Sequence, residues 1–402
     1  MKKDSRVKAV ISLDAVEHNF REMRKNIAEE TKMIAVIKAD AYGHGAVPVA
    51  HLIEDYDYIW GFAAATAEEA IHLREAGITK PILILGIVFD EYFPELVRYE
   101  IRPAVCEYEE ARKLSDEAVL QKKTVHIHIA LDTGMTRIGF ADAQENVEEI
   151  KKISELPNLE IEGMFTHFAR ADEYDRSPAM VQLERYLDFS RRVEEAGVEI
   201  PLHHCSNSAG IIRMPEANLN IVRAGITIYG IYPSSEVERD IVKLEPVMEL
   251  KSHVTYVKDV PAGAAISYGG TYVADRKLRV ATVPVGYADG YSRQLSNKGW
   301  VLIHGQKAPI LGRVCMDQFM VDVTGILKRQ LQIVPDMKLL KMSEITLDDL
   351  EAALTSNNIE PGSMTVRDGY YEYNIKFSTL LRTPEDVENI YIRKNNHIFQ
   401  PV

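Results

Sequence analysis

The sequence predicts an α/β fold in which an N-terminal (β/α)8 barrel of the TIM type is followed by a mostly-β domain. Short apolar runs alternate with helical stretches through about the first 235 residues, which is the pattern of βα units around a parallel sheet. After about residue 240 the pattern changes to short strands separated by glycine-bearing turns. At 402 residues the chain also exceeds the usual size of a single core. We therefore expect the barrel in residues 1–238 and the β domain in residues 239–402.

The barrel strands are predicted from eight apolar runs, at 33–37, 59–63, 81–85, 102–106, 125–131, 161–165, 201–204 and 219–222. Helices are predicted between them, for example at 67–76 and 181–196. Eight such units in roughly 230 residues fit a barrel whose active site lies at the C-terminal ends of the strands. A doubly wound sheet is the alternative, because it also alternates strands and helices.

The β domain is predicted from five strand-like runs, at 247–259, 278–284, 299–304, 307–313 and 318–323. Polar and aromatic clusters around Tyr268, Tyr287 and Arg313 lie among the glycine turns between these runs. Taken alone, each cluster is more typical of a hairpin than of a functional site.

Composition and charge exclude several classes of function. The net charge of −13 argues against a nucleic-acid partner and leaves no basic face for anionic lipid. The apolar stretch at 7–13 is too short for a signal peptide, and no run approaches the length of a membrane span. The cysteines at 106, 205 and 315 are scattered, which favours neither disulfides nor a metal site. We expect a cytoplasmic enzyme without a metal.

Lys38 follows the first barrel strand directly, where an apolar run meets a polar, glycine-bearing turn. A buried strand that ends on a lysine removes water from the ammonium group and lowers its pKa, which leaves a nucleophilic amine. Pyridoxal 5'-phosphate is the aldehyde that such an amine would bind. A solvated lysine at the end of an ordinary strand is the alternative for this segment alone.

Chemically capable side chains follow four further strands of the predicted barrel. They are Arg137 after the fifth strand, His167 after the sixth, Asn207 and Ser208 after the seventh, and Arg223 after the eighth. An anionic cofactor and a carboxylate substrate would require such a set. The glycine at 225 lets backbone N–H groups approach an anion, so we expect a phosphate site after the seventh and eighth strands. A glycine that serves only a tight turn is the alternative.

An ordered series of motifs resembles the alanine racemase family. The segment at 35–45, which contains Lys38, resembles the cofactor-lysine signature of that family. Further matching motifs follow in family order and extend the resemblance over about residues 5–324, at 132–137, 166–169, 206–209, 222–226, 267–269, 286–290 and 313–317.

The resemblance implies a pyridoxal-phosphate enzyme that interconverts L- and D-alanine to supply D-alanine for peptidoglycan. It implies a head-to-tail homodimer in which Tyr268 and Met316 of the partner subunit complete each site. Removing the α-proton from one face and returning a proton to the other requires two opposed acid/base groups, which the resemblance assigns to Lys38 and Tyr268. A racemase of serine or of broad specificity is the alternative on the same scaffold.

The resemblance also assigns the remaining roles. His167, itself linked to Arg223, is the hydrogen-bond partner of Tyr268, where cationic neighbours must favour the phenolate. Arg223 faces the ring nitrogen of the cofactor, and Arg137 with the backbone of Met316 binds the substrate carboxylate. Asn207 is included among the cofactor contacts. The phosphate contacts are Tyr42, Ser208, Gly225, Ile226 and Tyr371, and the access-corridor positions are Asp172, Tyr287 and Arg293.

Two departures from the family pattern bear on substrate binding. The family often has a carbamylated lysine where this chain has Ala130, so Arg137 needs another restraint, such as a bound chloride, or it is looser. Towards the C-terminus the resemblance thins, and Tyr370 or Tyr373 are alternatives to Tyr371. A non-catalytic cofactor-binding protein would lack the second base, Tyr268. A decarboxylase of basic amino acids would have a glycine-rich loop and a cysteine-bearing acidic motif that we do not find.

Overall fold

The computed structural model describes residues 5–326, 337–342, 345–356, 364–368, 371–375, 390, 392–394 and 397–399. The chain divides into two compact units, Met1–His253 and Val254–Val402.

The first unit contains eleven strands and nine α-helices in the described residues. The strands are β1 (Val7–Ile11), β2 (Lys32–Val36), β3 (Ile59–Ala64), β4 (Ile82–Ile84), β5 (Arg102–Val105), β6 (Val125–Asp132), β7 (Phe140–Ala141), β8 (Leu159–Phe165), β9 (Leu202–His204), β10 (Ile221–Ala224) and β11 (Met248–Ser252). The helices are α1 (Leu13–Lys25), α2 (Lys38–Gly43), α3 (Ala46–Ile53), α4 (Ala67–Glu75), α5 (Phe93–Tyr99), α6 (Tyr108–Gln121), α7 (Gln144–Ser154), α8 (Ser177–Glu195) and α9 (Ser208–Arg213).

Eight parallel strands form a nearly closed barrel in the order β10-β2-β3-β4-β5-β6-β8-β9. The amide of Arg223 donates to the carbonyl of Ser206 at 3.0 Å, which brings the two ends of this path together. The last strand, β10, lies beside the first, β2, so the sheet curls round into a barrel and the doubly wound alternative is wrong. All eight predicted strands are confirmed to within two residues at either end.

Two apolar layers stabilise the barrel, as expected for parallel strands that are buried on both faces. The larger layer lies between the strands and the surrounding helices and includes Val16, Phe20 and Phe62. A smaller cluster, which includes Ile34 and Leu83, packs separately from it. Burial of such side chains contributes roughly 1.5–3 kcal/mol each, so this packing holds the strand ends in place.

Helix boundaries follow capping chemistry. Helix α4 occupies the predicted position, with the Thr66 hydroxyl accepting from the amide of Glu69. Helix α8 begins at Ser177, four residues before the predicted start at 181, because Pro178 suits the first turn of a helix.

The predicted strand at 247–259 is instead two strands with different partners. Strand β11 pairs antiparallel with β1 inside the first unit, whereas β12 (Tyr256–Val260) belongs to the second unit. Apolar periodicity continues across residues 253–255, so it did not reveal that the pairing changes there.

After β12, the described elements of the second unit are β13 (Ala265–Ile266), β14 (Tyr272–Val273), β15 (Leu278–Val283), β16 (Trp300–Ile303), β17 (Gln306–Leu311), β18 (Phe319–Asp322), α10 (Met337–Met342), α11 (Leu347–Ser356), β19 (Met364–Asp368), β20 (Tyr371–Ile375), β21 (Ile392–Lys394) and β22 (His397–Phe399). A five-stranded antiparallel sheet in the order β12-β15-β18-β17-β16 is the largest sheet among them. Val260, Leu278, Val280 and Leu311 form part of its core. The mostly-β prediction for this part of the chain is confirmed.

None of the helices in the described part of the chain combines the length and apolar character needed to cross a bilayer. Among the same residues, no cluster of three or more His, Cys, Asp or Glu side chains is arranged to hold a metal ion.

Candidate active site

A cavity of about 540 Å³ lies at the C-terminal ends of the barrel strands. This is the end at which enzymes of this architecture carry their active sites. The cavity collects ten of the predicted residues, namely Lys38, Tyr42, Arg137, His167, Asp172, Asn207, Ser208, Arg223, Gly225 and Ile226.

The chain leaves Lys38 through a left-handed turn. Ala39, Asp40, Ala41 and Tyr42 all have φ between 51° and 55°. Left-handed helical geometry costs roughly 1–2 kcal/mol per L-residue, so the surrounding structure must hold this turn. Part of that support is internal, because the Asp40 carboxylate accepts from the amide of Ala46 at 2.8 Å.

Glu69 on α4 supplies the rest of this support. Its two carboxylate oxygens accept from the amide of Ala39 and from the amide of Ala65, each at 2.8 Å. One side chain thereby ties together the loops that follow β2 and β3. The backbone next to Lys38 is fixed by a residue 31 positions later in the sequence.

The Lys38 amine is half-buried and lies among positive charges. Burial, followed by the charge of Arg137, lowers the pKa of Lys38 below its ordinary value. The lysine is therefore more readily deprotonated than a surface lysine, which suits both a nucleophile and a proton acceptor.

Ser208, Gly225 and Tyr42 surround a small space at the start of α9 and of the 3-10 turn Ile226–Tyr229. The Ser208 hydroxyl accepts from the amide of Gly225 at 2.9 Å. A side chain at Gly225 would place its Cβ 3.5 Å from the Tyr42 hydroxyl and 3.6 Å from the Ser208 hydroxyl, so glycine leaves this space open. Burial raises the pKa of Tyr42, which therefore remains a hydrogen-bond donor. Two hydroxyls on one space that Gly225 and Ile226 also line suit a phosphate group.

Arg223 is 2% exposed and is held rigidly by its terminal nitrogens. Nη1 donates to the His204 carbonyl at 2.7 Å, and Nη2 donates to the Thr166 carbonyl at 2.7 Å and to the Cys205 carbonyl at 3.1 Å. Burial lowers the pKa of Arg223 to about 10, which leaves the guanidinium charged at neutral pH.

His167 lies beside Arg223 and is neutral. Nη2 of Arg223 is 3.3 Å from Nδ1 of His167, which shares an N–H of Nη2 with the carbonyls given above. Because a guanidinium only donates, Nδ1 is the acceptor. Burial, followed by the charge of Arg223, lowers the pKa of His167 to about 3. His167 thus offers an Nε2–H donor to the cavity, and the positive charge expected near a phenolate belongs to Arg223 behind it.

Arg137 is carried by a loop that Asp132 closes. The Asp132 carboxylate accepts from the amides of Gly134 and Thr136, both at 2.9 Å. Within the described residues the Arg137 guanidinium makes no hydrogen bond to the protein, and it is exposed. Ala130 is buried in an apolar cluster that includes Phe165 and supplies no anion to restrain it.

Asn207 and Asp172 line the cavity, and Asn207 also has a structural contact. The side chain of Asn207 caps α9 by accepting from the amide of Gly210 at 3.0 Å. The backbone carbonyl of Asp172 accepts from the Ser234 hydroxyl at 2.7 Å.

The predicted residues of the second unit lie in segments that contact one another. The amide of Tyr287 donates to the Cys315 carbonyl at 3.1 Å, and the Ser267 hydroxyl, next to Tyr268, donates to the Arg313 carbonyl at 2.7 Å. Tyr268, Met316 and Tyr287 are 72%, 58% and 43% exposed.

Arg293 belongs to the same group, since its guanidinium lies 5.7 Å from the centre of the Tyr287 ring. We call Tyr268, Tyr287, Arg293 and Met316 the exposed cluster. Tyr371 begins β20, but its side chain lies outside the described residues, as do the side chains of the alternatives Tyr370 and Tyr373.

Sequence reasoning missed several residues that shape the site. Gln182 on α8 donates to the Thr133 hydroxyl and to the His167 carbonyl, and its side-chain oxygen accepts from the amide of Ala169. Tyr229 packs against Tyr42 with ring centres 4.9 Å apart and donates to the Val36 carbonyl. Gln182 is a polar residue on the apolar face of a predicted helix, and this is the one signal in the sequence that could have identified it.

Comparisons with known proteins agree with this geometry. The chain matches the profile "Alanine racemase, N-terminal domain" over residues 11–233 and "Alanine racemase, C-terminal domain" over residues 247–366. The alanine racemase of Methanococcus maripaludis is 45% identical over 318 residues, covering 79% of this chain and 85% of that protein.

Solved structures extend the match. An alanine racemase of Clostridium difficile 630 is 42% identical with a TM-score of 0.77, covering 83% of this chain and 86% of that one. A structure of alanine racemase from the same source, in complex with cycloserine, is 35% identical with a TM-score of 0.76, covering 94% of this chain and 100% of that one. The matches span both units, and the chain belongs to the alanine racemase family.

Proposed function

We propose that this protein is a pyridoxal-phosphate-dependent isomerase that interconverts L-alanine and D-alanine. The observation that carries the proposal is the single cavity in which Lys38, Arg137, His167 and Arg223 meet at the strand ends. The relatives named alanine racemase support the choice of alanine. Supply of D-alanine for peptidoglycan is the role that we propose for the product.

The cavity fits the cofactor at both of its ends. Lys38 would hold the aldehyde end, and the hydroxyls of Tyr42 and Ser208 with the amides of Gly225 and Ile226 would hold the phosphate. When bound, pyridoxal phosphate supplies an electron-withdrawing ring that acidifies the α-hydrogen of the attached amino acid. Tyr371 is proposed as a further phosphate contact.

Lys38 serves as the proton acceptor and donor on one face of the substrate. Its lowered pKa makes the neutral amine, which a general base requires, easier to form than in a surface lysine. The left-handed turn after Lys38 and its anchor Glu69 keep the amine at the strand end, so the proton moves over a fixed distance.

Tyr268 of the partner subunit is proposed for the opposite face. The exposed cluster supports a homodimer, because large apolar side chains gathered on a surface mark interaction sites. The Nε2–H of His167, backed by the charge of Arg223, would donate to the phenolate and lower the cost of forming it.

Arg223 favours racemisation over other reactions of the same cofactor. Its guanidinium only donates, so a ring nitrogen placed against it remains an unprotonated acceptor. Held in this way by Arg223, the cofactor would be a weaker electron sink, which would disfavour transamination and elimination.

Arg137 is proposed to bind the substrate carboxylate, with the backbone of Met316 assisting. Because Ala130 provides no anion, a chloride near Arg137 is the proposed restraint on the guanidinium. Asp172, Tyr287 and Arg293 are proposed to line the access corridor for a small zwitterion.

A spectrum combined with a chirality assay tests the proposal. We expect an absorbance band at about 420 nm that disappears on borohydride reduction and in Lys38→Ala. L-alanine and L-serine are then incubated separately and their D-isomers measured, with D-alanine as the expected product. D-serine alone would move the assignment to a serine racemase, and no D-isomer from any amino acid would overturn the racemase proposal.

A further inference from the structure

A line of five polar side chains runs through the barrel interior behind the cavity. Nη1 of Arg223 is 2.8 Å from Nδ1 of His204, and Nε2 of His204 is 2.8 Å from Nδ1 of His128. Nε2 of His128 is 3.3 Å from Oε2 of Glu162, which also accepts from Nε of Arg102 at 3.1 Å. Aliphatic side chains usually fill this part of a barrel, so a continuous polar line calls for an explanation.

The chemistry of the end groups fixes the direction of every hydrogen bond in this line. A guanidinium only donates, so Nδ1 of His204 must accept and carries no proton. Neutral His204 therefore has its proton on Nε2 and donates it to His128. By the same reasoning His128 accepts at Nδ1 and donates from Nε2 to the carboxylate of Glu162.

The charges along the line agree with this assignment. Burial lowers the pKa of His128 and, together with the charge of Arg223, lowers the pKa of His204 well below its ordinary value, so both rings are neutral. Burial alone would raise the pKa of Glu162, but the hydrogen bond from His128 and the charge of Arg102 outweigh it and lower the pKa to about 2. His128 therefore donates to a carboxylate that stays ionised, and this anion orients the dipoles of both rings.

The strands make room for the two rings. Gly163 lies opposite His128 where the pairing of β6 with β8 shifts register, and a Cβ at Gly163 would be 2.5 Å from Nδ1 of His128. The ring of Phe165 stacks on His204 with centres 5.0 Å apart. Neither imidazole can turn over without displacing a packed neighbour.

The line leaves Arg223 with one donor for a ligand. All hydrogen bonds of this guanidinium to described residues come from Nη1 and Nη2, as given above, while Arg223 also lines the cavity. Nε–H is the donor that remains. Its direction depends on the contacts of Nη1 and Nη2, and one of the two Nη1 contacts requires the His204 ring to be an acceptor.

We infer that His128 and Glu162 are positioning residues that lock His204 in the acceptor tautomer and so aim Nε–H of Arg223 at the ring nitrogen of the cofactor. This inference rests on the proposed function for the identity of the cofactor. Without the anion at Glu162, His128 and His204 can reverse their tautomers, and an N–H at Nδ1 of His204 would then oppose Arg223.

The test compares Glu162→Gln with Glu160→Gln in full-length protein freed of cofactor. Glu160 is the matched control, because it lies on the same strand and pairs with His126 at 3.3 Å, but is exposed. The probes are pyridoxal phosphate and its 1-deaza analogue, in which carbon replaces the ring nitrogen. We expect wild type and Glu160→Gln to prefer pyridoxal phosphate, and Glu162→Gln to reduce that preference at least about fivefold, the effect of roughly one hydrogen bond.

A second readout uses the loaded enzyme. If the ring nitrogen of the cofactor becomes protonated more often in Glu162→Gln, the rate of transamination should rise. In transamination the amino group and two electrons pass from alanine to the cofactor, which leaves pyruvate and pyridoxamine phosphate. We expect pyruvate formed per racemisation event to increase several-fold in Glu162→Gln and to stay at the wild-type level in Glu160→Gln. An unchanged analogue preference together with unchanged pyruvate would overturn the inference.

A measurement on the wild-type protein covers the case in which Glu162→Gln does not fold. Nitrogen-15 NMR of histidine-labelled protein should show His128 and His204 neutral, with the proton on Nε2 in both. A protonated ring, or a proton on Nδ1 of His204, would contradict the inference. Neither this spectrum nor the analogue preference depends on D-alanine production, so failure of the proposed activity is distinguishable from failure of the positioning role.

Discussion

The cavity of the barrel unit and the exposed cluster of the second unit differ in how their functional side chains are held. In the cavity, Arg223 is almost fully buried with both terminal nitrogens bound by protein, and His167 is neutral and desolvated. In the exposed cluster, Tyr268 and Met316 are mostly in contact with solvent, although hydrogen bonds tie their backbone segments together. The first region is therefore organised within one chain, whereas the second has the exposure expected of the subunit interface that we propose.

Lys38→Ala should have the largest effect. Removing the amine takes away both the covalent attachment of the cofactor and one of the two acid/base groups, so we expect racemisation to fall by at least about 1,000-fold. Turnover of L-alanine measured as D-alanine, together with the spectrum, checks this. Lys32→Ala, which changes an exposed lysine at the other end of the same strand, is the control, and a comparable loss there would contradict the role of Lys38.

Tyr268→Phe should come next, with a loss of roughly 100- to 10,000-fold in racemisation and little change in cofactor binding. The face served by Lys38 remains functional, so the α-hydrogen of one alanine enantiomer should still exchange with deuterated solvent. Proton NMR in D2O measures this exchange. Tyr256→Phe, at another exposed tyrosine of the same unit, should leave both rates unchanged. If Tyr268→Phe lost exchange equally with L-alanine and with D-alanine, the assignment of one base to each face would be contradicted.

Glu162→Gln should affect stability in a pH-dependent way. The folded state lowers the pKa of Glu162 from 4.5 to about 2, so the stabilisation is fully present above pH 4.5 and is lost as the pH falls towards 2. That shift corresponds to on the order of 3 kcal/mol at neutral pH. Urea unfolding of wild type and Glu162→Gln should show a difference in free energy of unfolding that shrinks below pH 4.5, while a difference independent of pH would contradict the ionised carboxylate.

Chloride should have the smallest effect. If a bound chloride restrains Arg137, the Michaelis constant for alanine should fall about two- to fivefold as chloride replaces a large organic anion at constant ionic strength. Ala130→Lys should weaken this response, because a lysine carbamylated at this position would supply the anion that the chain lacks. A Michaelis constant that does not change across the titration would count against the chloride.

The barrel and most of the cavity could be predicted because they depend on local signals. Apolar runs such as 59–63 and 125–131 specify strands, and a polar residue directly after a run, such as Lys38 or His167, must lie at the strand end. The left-handed turn at 39–42 could not be predicted, because it depends on the distant carboxylate of Glu69. The line of polar side chains from Arg223 to Glu162 could not be predicted either, because it requires the space that Gly163 and a register shift leave for the imidazole of His128.

The central claim is that each active site combines Lys38 of one subunit with Tyr268 of the partner subunit, and mixing two inactive variants tests it directly. When Lys38→Ala and Tyr268→Phe chains are dissociated, mixed in equal amounts and reassociated, half of the dimers should contain one chain of each kind. One of the two sites in such a dimer has both bases intact, so the account predicts recovery of about a quarter of the wild-type racemase activity. Absence of recovery after demonstrated subunit exchange would contradict it.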